Sequence, residues 1–580
     1  MKNKDIASIF NQMADLLEVK GTNPFRIRAY RKAAENLEGL TENAADIAAR
    51  GELEGISGIG KDLAGKIREI LKTGILQDCE DLKKEIPPGI ITLLDIPGVG
   101  PRTARLLFDH FGVTSLEEVE KLALEHKIQG IPGMKAKTEE NILKGIAVVK
   151  KGRERFPLGL LLPLAREIVW KLEKIPSVYR ASIAGSLRRR RETAKDIDLL
   201  VASGDPGEVM QAFTALPLTR QILARGDTKA SVQTADGFQI DLRVVEPESF
   251  GAALCYFTGS KAHNIRIRDM AARRGLKINE YGVFRGDERI SGREEEDVFS
   301  AVGLPYIEPE LREDRGEIEA AQEGSLPVLV EMADIRGDSH IHSRLSDGVA
   351  SLEDIAQKAS ALGYSWAAVA DHSVSLKVAR GLSIQEVREK IRCVHELNER
   401  GNYTAKLLCA AEVDIDADGK LDYPDEVLAG LDLVLASIHS GFKQEEDVIT
   451  RRIISAMKNP YVDIIAHPTG RLLGSRSPYA VNIEKIIQTA AETGTALEIN
   501  AYFRRLDLND IYARAAKEKG CLLAIGTDAH SLEQMELFPL GLAVARRAWL
   551  EKKDLLNTRD YSELKSHITK KRGRRVDQLF

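Results

Sequence analysis

The stretch "RGDSHIHSRLSDG", residues 336–348, decides how the second half of this 580-residue chain is read. His340 and His342 alternate, so on an extended strand both imidazoles face one side. Asp347 follows within a Gly-containing turn. One His-x-His pair alone fits a satisfied strand end, and its weight comes from the company it keeps further along the chain. Eight of the chain's 11 histidines lie after residue 333, and six of these follow or end apolar strand patterns. "SWAAVADHS" carries His372, "LDLVLASIHS" His439, "VDIIAHP" His467, and "LLAIGTDAH" Asp528 and His530, while "AKLLCAAEVDI" adds Glu412. Strands alternating with helices and ending in polar groups predict a barrel whose active face lies at the C-terminal ends of the strands.

Nine candidate ligands result: His340, His342, Asp347, His372, Glu412, His439, His467, Asp528 and His530. A His and carboxylate set without Cys points to Mn²⁺, Zn²⁺ or Fe²⁺. Nine are too many for one ion, so a cluster of two or three is expected, and ions sharing a hydroxide favour phosphoester hydrolysis. Asp371 is expected to support a neighbouring ligand. His395 and His567, in charged helical surroundings, read as surface residues.

A different chemistry lies upstream. "IAGSLRRRRETAKDIDLLV" (183–201) places Asp196 and Asp198 before an apolar run, on one face of a strand with Cα atoms about 7 Å apart. Asp241 in "FQIDLRVV" can add a third carboxylate. Such a trio suits Mg²⁺, or Mn²⁺, and two-metal phosphoryl transfer. Gly185, Ser186, Arg188 and Arg189 form a turn that can cradle a triphosphate. Earlier still, "GISGIGKDLAGKI" (55–67) and "DIPGVGPRTARLL" (95–107) repeat one pattern, and "GIPGMKAKTEENI" (130–142) is a degenerate third copy with Lys135 at its second glycine position. Gly58, Gly60, Gly98 and Gly100 let a phosphate approach backbone N–H groups at a helix start, which suits sequence-independent DNA binding of the helix-hairpin-helix kind.

At these motifs residues 1–310 resemble the family X DNA polymerases. Gly185-Ser186, Arg189, Asp196, Asp198 and Asp241 match that family's palm; "YFTGSKAHNIRIRDMAARRGLKINEYG" (256–282) is similar to its nucleotide-binding region and "AYRKAAENL" (29–37) to its DNA-end-binding domain. The resemblance implies that Asp196 and Asp198 bind both metals and that Asp241 helps activate the primer 3′-hydroxyl. It implies phosphate contacts from Ser186 and Arg189, a sugar pocket of Tyr256, Phe257 and Gly259, a base-edge contact from Asn264 and a template contact from Arg268. Lys261 and His263 stand where animal members carry acidic and aromatic residues, and a cation at 261 can hold a nucleotide before template pairing. Lys66 occupies the family's Schiff-base lysine position, but Asp62 replaces a phosphate-binding lysine, which weakens a lyase reading. The order of the nine later ligands resembles the polymerase and histidinol phosphatase (PHP) domain, with every usual position filled.

The implied fold is multidomain: an α-helical helix-hairpin-helix N-terminal region, an α+β nucleotidyltransferase palm with a thumb-like subdomain, and a C-terminal distorted (β/α) barrel. The expected divisions are 1–90 (lyase-like), 91–152 (second helix-hairpin-helix), 153–248 (palm), 249–312 (thumb-like), a linker over 313–332, and 333–580 (PHP). Within this, 309–327 reads as a polar linker or surface helix, and the basic tail "KKRGRRVDQLF" as loose.

The expected activities are template-directed gap filling from deoxynucleoside triphosphates and 3′→5′ trimming, with cleavage at abasic sites and removal of 3′-phosphates as further possibilities. Two alternatives stand beside them: a small-molecule phosphatase tethered to a polymerase, and a non-catalytic DNA-end scaffold. The partner is gapped or damaged double-stranded DNA, bound by a monomer. The ending Gln578-Leu579-Phe580 faintly resembles sliding-clamp peptides.

Composition sets bounds. Net charge is −5, and residues 1–310 hold 47 Lys and Arg against 46 Asp and Glu, so DNA binding must come from locally placed groups. No apolar run reaches the roughly 20 residues that span a bilayer, and the N-terminus lacks a signal-peptide core. Five scattered cysteines suggest a reduced, cytoplasmic setting, and the resemblance to DNA polymerases implies association with the nucleoid.

Overall fold

The computed structural model describes the chain except for residues 1–2, 21–23, 39–43, 57, 74–75, 86–92, 94–95, 97–98, 114, 132, 154 and 578–580. The chain divides into two compact units, one spanning Met1–Glu154 and the other holding the body of Arg155–Phe580.

The first unit is helical. Helices Asn3–Val19, Pro24–Glu38, Lys61–Thr73, Pro101–Phe111, Leu116–Leu124 and Ala136–Arg153 bury Phe10, Leu37, Ile67, Leu107, Val119 and Ile146 in one core. The glycine repeats share one geometry. In each, a backbone N–H donates three residues back, Ile59 to Ile56 at 3.0 Å, Val99 to Ile96 at 2.9 Å and Met134 to Ile131 at 2.9 Å. The donors' side chains are all buried, and a helix begins two residues later in each. Gly58 (φ +73°) and Gly133 (φ +89°) occupy the left-handed region that the turn requires. The copy that looks degenerate in sequence is therefore a full structural repeat, because Lys135 replaces a glycine that the turn does not need in a left-handed conformation. Gly98 lies outside the described residues.

The second unit begins with the pair β1 (Phe156–Pro157) and β3 (Thr193–Ala194), beside a five-stranded palm sheet. That sheet is ordered β2 (Val178–Ile183), β4 (Asp196–Ser203), β7 (Gln239–Val245), β6 (Lys229–Thr234), β5 (Thr219–Arg225). β4 runs parallel to β7, and the other pairs are antiparallel. Helices Phe250–Thr258, Lys261–Arg273 and Glu295–Ala301 follow, with an antiparallel sheet of β8 (Lys277–Asn279), β9 (Gly282–Arg285) and β10 (Glu288–Ser291).

Seven parallel strands then run in sequence order: β11 (Gly337–Ile341), β12 (Trp366–His372), β13 (Lys406–Asp414), β14 (Leu433–Ser437), β15 (Ile464–Ile465), β16 (Ala496–Asn500) and β17 (Leu523–Gly526). A parallel bridge between Ile341 and Ala529 brings the last strand's exit back to the first, nearly closing a barrel. Strands buried on both faces need near-continuous apolar sequence, which is why "WAAVA" and "LVLAS" show no alternation.

Two expectations fail here. Residues 309–327 are not a solvated linker throughout: Arg312 and Glu317 are fully buried, Pro309, Glu310 and Leu311 are buried beside them, and the helix Glu317–Glu323 turns Ile318, Ala320 and Ala321 inward while 322–325 stay exposed. Arg312 donates to the Ile307 carbonyl and to Glu295, and Glu310, Glu313 and Arg315 are held in ion pairs. Nor is the described part of the basic tail, 570–577, loose. It continues the helix Tyr561–Asp577, which buries Leu564 and Ile568 and pairs Lys571 and Arg572 with buried Asp463. In both segments a polar composition hid ion pairs with residues distant in sequence. Among the described residues, no helix is long and apolar enough to cross a membrane.

Candidate active sites

The parallel register of β4 and β7 sets Asp198 beside Asp241, and Asp196 beside Gln239. Three carboxylates thus share one corner of the palm sheet. Burial and the neighbouring Asp196 and Asp241 push the Asp198 carboxyl up to about 7, and burial with Asp241 raises Asp196. Asp241 accepts from Ser231 Oγ and from Gln239 Nε2 at 3.0 Å, which fixes its orientation. Like charges held this close, with only partial solvation, call for a cation. Gly185 (φ +60°) closes the corner, since a Cβ there would lie 1.9 Å from Asp198 Oδ2.

Ser186 stands in the short helix Gly185–Arg188. Arg188 does not reach outward to a phosphate cradle: its two Nη atoms grip the carboxylate of Glu295 at 2.8 and 2.7 Å. Arg189 is likewise drawn inward, donating through Nε to Glu313 at 3.0 Å and through Nη1 to the Thr258 carbonyl. Tyr256, Asn264 and Arg268 line one groove with Ala252, Ile267 and Ile278. The Asn264 amide donates to the Tyr256 carbonyl at 2.7 Å. Phe257 packs edge-on to Tyr256 under the Arg243 guanidinium. Gly259 (φ +70°) ends its helix, and Lys261 is exposed at the start of the next. His263 corrects an expectation. It is fully buried with Nδ1 2.8 Å from Glu317 Oε1, so it holds the start of the helix Glu317–Glu323 and cannot face a nucleotide.

In the first unit Gly60 and Gly100 directly precede helices, with open space where a Cβ would stand. Lys66 is ion-paired with Asp78 and lies 5.9 Å from the Tyr30 ring centre. Burial works against its charge, but Asp78 and Tyr30 hold its pKa above the ordinary lysine value. A Schiff-base nucleophile needs the opposite shift.

The barrel brings all nine predicted residues to the C-terminal ends of its strands. Their atoms form three overlapping groups, each with donor atoms within 4.8 Å of one another: His342, Asp347, His372 and His530; His340, His342 and Glu412; His372, Glu412 and His439. His467 Nε2 lies 2.8 Å from Glu412 Oε1, and Asp528 Oδ1 3.2 Å from His342 Nε2. His340, His342, Glu412 and His467 form a buried floor, with Asp347, His439 and His530 nearer solvent.

The fit to cations is written in unsatisfied atoms. The Nε2 atoms of His340 and His342 face each other at 3.1 Å. Buried His342 Nδ1 and His467 Nδ1 find no hydrogen-bond partner among the described residues, and His372 Nδ1 and Glu412 Oε2 lie 2.9 Å apart without hydrogen-bond alignment. Burial alone would depress His340 and His439, yet the carboxylates Glu498 and Glu412 raise the first well above the ordinary range, and Glu412 and Asp414 lift the second to about 10. Burial and the neighbouring His530 and His372 push His342 down to about 4. Opposed shifts within one pocket mark a crowded donor set that divalent cations would relieve.

Sequence reading missed the supports. Glu498 accepts from the His467 backbone N–H at 2.6 Å. Glu498 also faces His340 Nδ1 at 2.7 Å, and Asp414 faces His439 Nδ1 at 3.0 Å. The two Nδ1 contacts orient Nε2 of His340 and of His439 toward the pocket. Arg505 lies 3.2 Å from Asp528. Only an acidic residue in an otherwise apolar strand, as in "ALEIN", could have signalled Glu498. Asp371, expected as a support, holds the turn bearing Asp347 by accepting from Ser343 and Ser346 while pairing with buried Lys390. His467 (φ +31°) and Asp528 (φ +54°) hold strained backbone, a state that clusters at functional sites. His395 is exposed, as expected, whereas His567 is half-buried.

Comparison with known proteins agrees with this division. Residues 1–76 match the helix-hairpin-helix domain, 90–147 the SAM-like helix-hairpin-helix tandem, 253–313 the DNA polymerase beta thumb and 338–502 the PHP domain. The DNA polymerase/3′-5′ exonuclease PolX of Bacillus subtilis (strain 168) is 40% identical over 573 residues, covering 98% of this chain and 99% of the relative. A probable phosphatase of Thermoanaerobacter sp. (strain X514) is 32% identical over 251 residues, 40% of this chain and 95% of the relative. A probable phosphatase of Acetivibrio thermocellus is 31% identical over 202 residues, 33% of this chain and 78% of the relative. Full-length similarity to PolX, together with the carboxylate corner and the histidine-lined barrel, places the chain in the family X DNA polymerases that carry a C-terminal PHP domain.

Proposed function

We propose that the chain is a DNA polymerase and 3′→5′ exonuclease that fills short gaps and trims 3′ ends at two separate centres. The observation that carries this reading is the presence of two complete acidic or histidine donor sets in one compact unit, one at the palm corner and one at the barrel mouth.

At the palm, Asp196, Asp198 and Asp241 would hold two Mg²⁺ ions. Ions bound there lower the pKa of a primer 3′-hydroxyl and neutralise the departing pyrophosphate. Asp241 sits where it can orient that hydroxyl, and its own orientation is fixed by Ser231 and Gln239. Ser186 and the N–H groups of its turn face the phosphates, Tyr256, Asn264 and Arg268 receive the nucleoside and template in their shared groove, and Lys261 meets the triphosphate from the exposed helix start. Arg189 acts by holding this turn against Glu313. The glycine turns of the first unit grip DNA phosphates without reading bases.

At the barrel, the nine residues would hold two or three ions, Mn²⁺ first among the candidates, that supply a hydroxide and polarise a phosphodiester. Glu498 and Asp414 hold Nδ1 of His340 and His439, so the Nε2 atoms are the ones turned to the pocket and would ligate once a bound cation displaced their protons. The probable phosphatases that resemble this barrel support hydrolysis of terminal 3′-phosphates as a second reaction of the same site. Lyase chemistry at Lys66 is disfavoured, because its ion pair holds the proton. The sliding-clamp contact would involve residues outside those described.

The test is a labelled gapped-DNA assay with Mg²⁺ or Mn²⁺. Asp196→Ala with Asp198→Ala is expected to abolish extension and keep trimming, and His340→Ala with His342→Ala to do the reverse. A protein that binds gapped DNA but neither extends nor trims would establish the scaffold reading instead. Turnover of histidinol phosphate in preference to 3′-recessed DNA would establish the tethered phosphatase.

A further inference from the structure

The palm turn leading into Asp196 is held from the barrel at two points. Arg547, on the barrel helix Phe538–Arg547, donates through Nη1 to the Arg189 carbonyl at 2.7 Å and to Glu313 at 3.0 Å, and through Nη2 to Asp510 at 2.7 Å. Arg471 donates through Nη2 to Glu192 Oε2 at 2.7 Å, four residues before Asp196.

Arg471 has further partners. It sits in the turn that leaves β15 just after His467, closed by a Gly470 N–H to His467 carbonyl bond of 2.9 Å. Its Nε donates to the Arg505 carbonyl at 3.0 Å, and Nη2 also to the Leu506 carbonyl. The Arg505 side chain in turn lies 3.2 Å from Asp528 Oδ2. An unbroken line of polar contacts therefore runs from Glu192 in the palm, through Arg471 and Arg505, to Asp528 in the barrel cluster. Three residues along it hold positive φ without being glycine: His467, Leu506 (φ +43°) and Asp528. Such backbone persists only while its surroundings over-determine it. The guanidinium is planar and rigid, so a shift of Glu192 rotates the same donors that hold the 505–506 carbonyls.

We propose that Arg471 is a positioning residue shared by the two centres, which couples the nucleotide-holding turn of the palm to the donor geometry of the barrel cluster; this rests on the reading of that cluster as a metal site. A tie that merely joined two domains would leave affinities at both centres untouched when loosened. A shared positioning residue makes each centre respond to changes made at the other, and that coupling is reciprocal.

The experiment uses the full chain. Calorimetric Mn²⁺ titration is carried out in an Asp196→Ala, Asp198→Ala background, so that only the barrel binds. Glu192→Ala, a palm substitution at a side chain one-third exposed, is expected to weaken barrel Mn²⁺ affinity about threefold to tenfold, and Glu192→Gln, which keeps the hydrogen bond, to restore most of it. In the otherwise native chain, Arg471→Met is expected to raise the nucleotide KM in gap filling by a similar factor with kcat within about twofold. The Glu192→Ala, Arg471→Met double variant should show the KM of the Arg471 variant alone, because both remove one link. Unchanged Mn²⁺ affinity in Glu192→Ala, unchanged KM in Arg471→Met, or effects that multiply in the double variant would each overturn the coupling. His342→Ala separates the two readings. If it leaves Mn²⁺ affinity intact, the metal-site reading itself fails; if it weakens binding while Glu192→Ala does not, only the coupling fails.

Discussion

Replacing Gly185 with alanine tests the palm assignment at a single atom. Gly185 has φ +60°, and a side chain in that region costs about 1–2 kcal/mol. The larger effect is steric. The new Cβ would stand 1.9 Å from Asp198 Oδ2 and 2.8 Å from its Cγ, whereas such atoms essentially never approach within 3.0 Å, so the carboxylate must retreat by about 1 Å. Asp198 cannot retreat freely, because its backbone is locked between β2 and β7. A displacement of about 1 Å at a reacting centre costs on the order of 100-fold in rate, or about 2.7 kcal/mol of barrier. Gly185→Ala should therefore lower kcat for single-nucleotide gap filling by about 100-fold. The melting temperature should fall by only a few degrees, and 3′ trimming, measured in the same preparation, should stay within about threefold. Extension at the native rate would refute the placement of Asp198 as a metal-holding group pressed against this turn.

Three further outcomes concern other parts of the chain. Gly526→Ala would place a Cβ 2.5 Å from both Glu498 Oε1 and His340 Cβ, so trimming and Mn²⁺ binding should be lost while extension persists; retained trimming would show that this wall of the barrel is not part of the site. Glu295 is buried between Arg312 and Arg188: burial alone would raise its carboxyl, but the two guanidiniums bring it down to about 2. A folded-state pKa depressed from 4.5 contributes about 3 kcal/mol that is present above pH 4.5 and lost as pH falls toward 2. The stability gap between the native chain and Glu295→Gln, read by denaturant melts, should narrow over that window, and a gap independent of pH would contradict the pairing. Lys261→Ala should weaken nucleotide binding in the absence of DNA by about tenfold, the scale of one charge-assisted contact; equal affinity by fluorescence titration would remove Lys261 from the nucleotide site.

The residues that the fold gathers at both candidate centres were legible because each rests on strictly local rules. A strand buried on both faces is nearly all apolar, so a histidine or carboxylate at its end stands out, as in "VADH", "ASIH" and "IIAHP". An Asp-x-Asp pair on a strand has its facing fixed by the pleat, so Asp196 and Asp198 could be placed on one side from the sequence. The glycine turns announced themselves by repetition. These features were determined by the sequence by itself, down to the nine barrel residues, two of which (Asp528 and His530) lie beyond the matched PHP segment 338–502.

Only the tertiary structure decided what those donors lean on. Glu498 supports His340 from 158 positions away, and Glu192 meets Arg471 across 279. No local pattern encodes such pairs, because a charge reads as solvated until a distant partner is brought against it. For the same reason His263 turned inward to Glu317, the 309–312 and 317–321 stretches turned inward, and the basic tail up to Asp577 became a docked helix. Secondary structure fixes the direction a side chain takes from its own strand or helix; chain closure alone determines which charge waits there, and burial makes the presence or absence of that charge worth several kcal/mol.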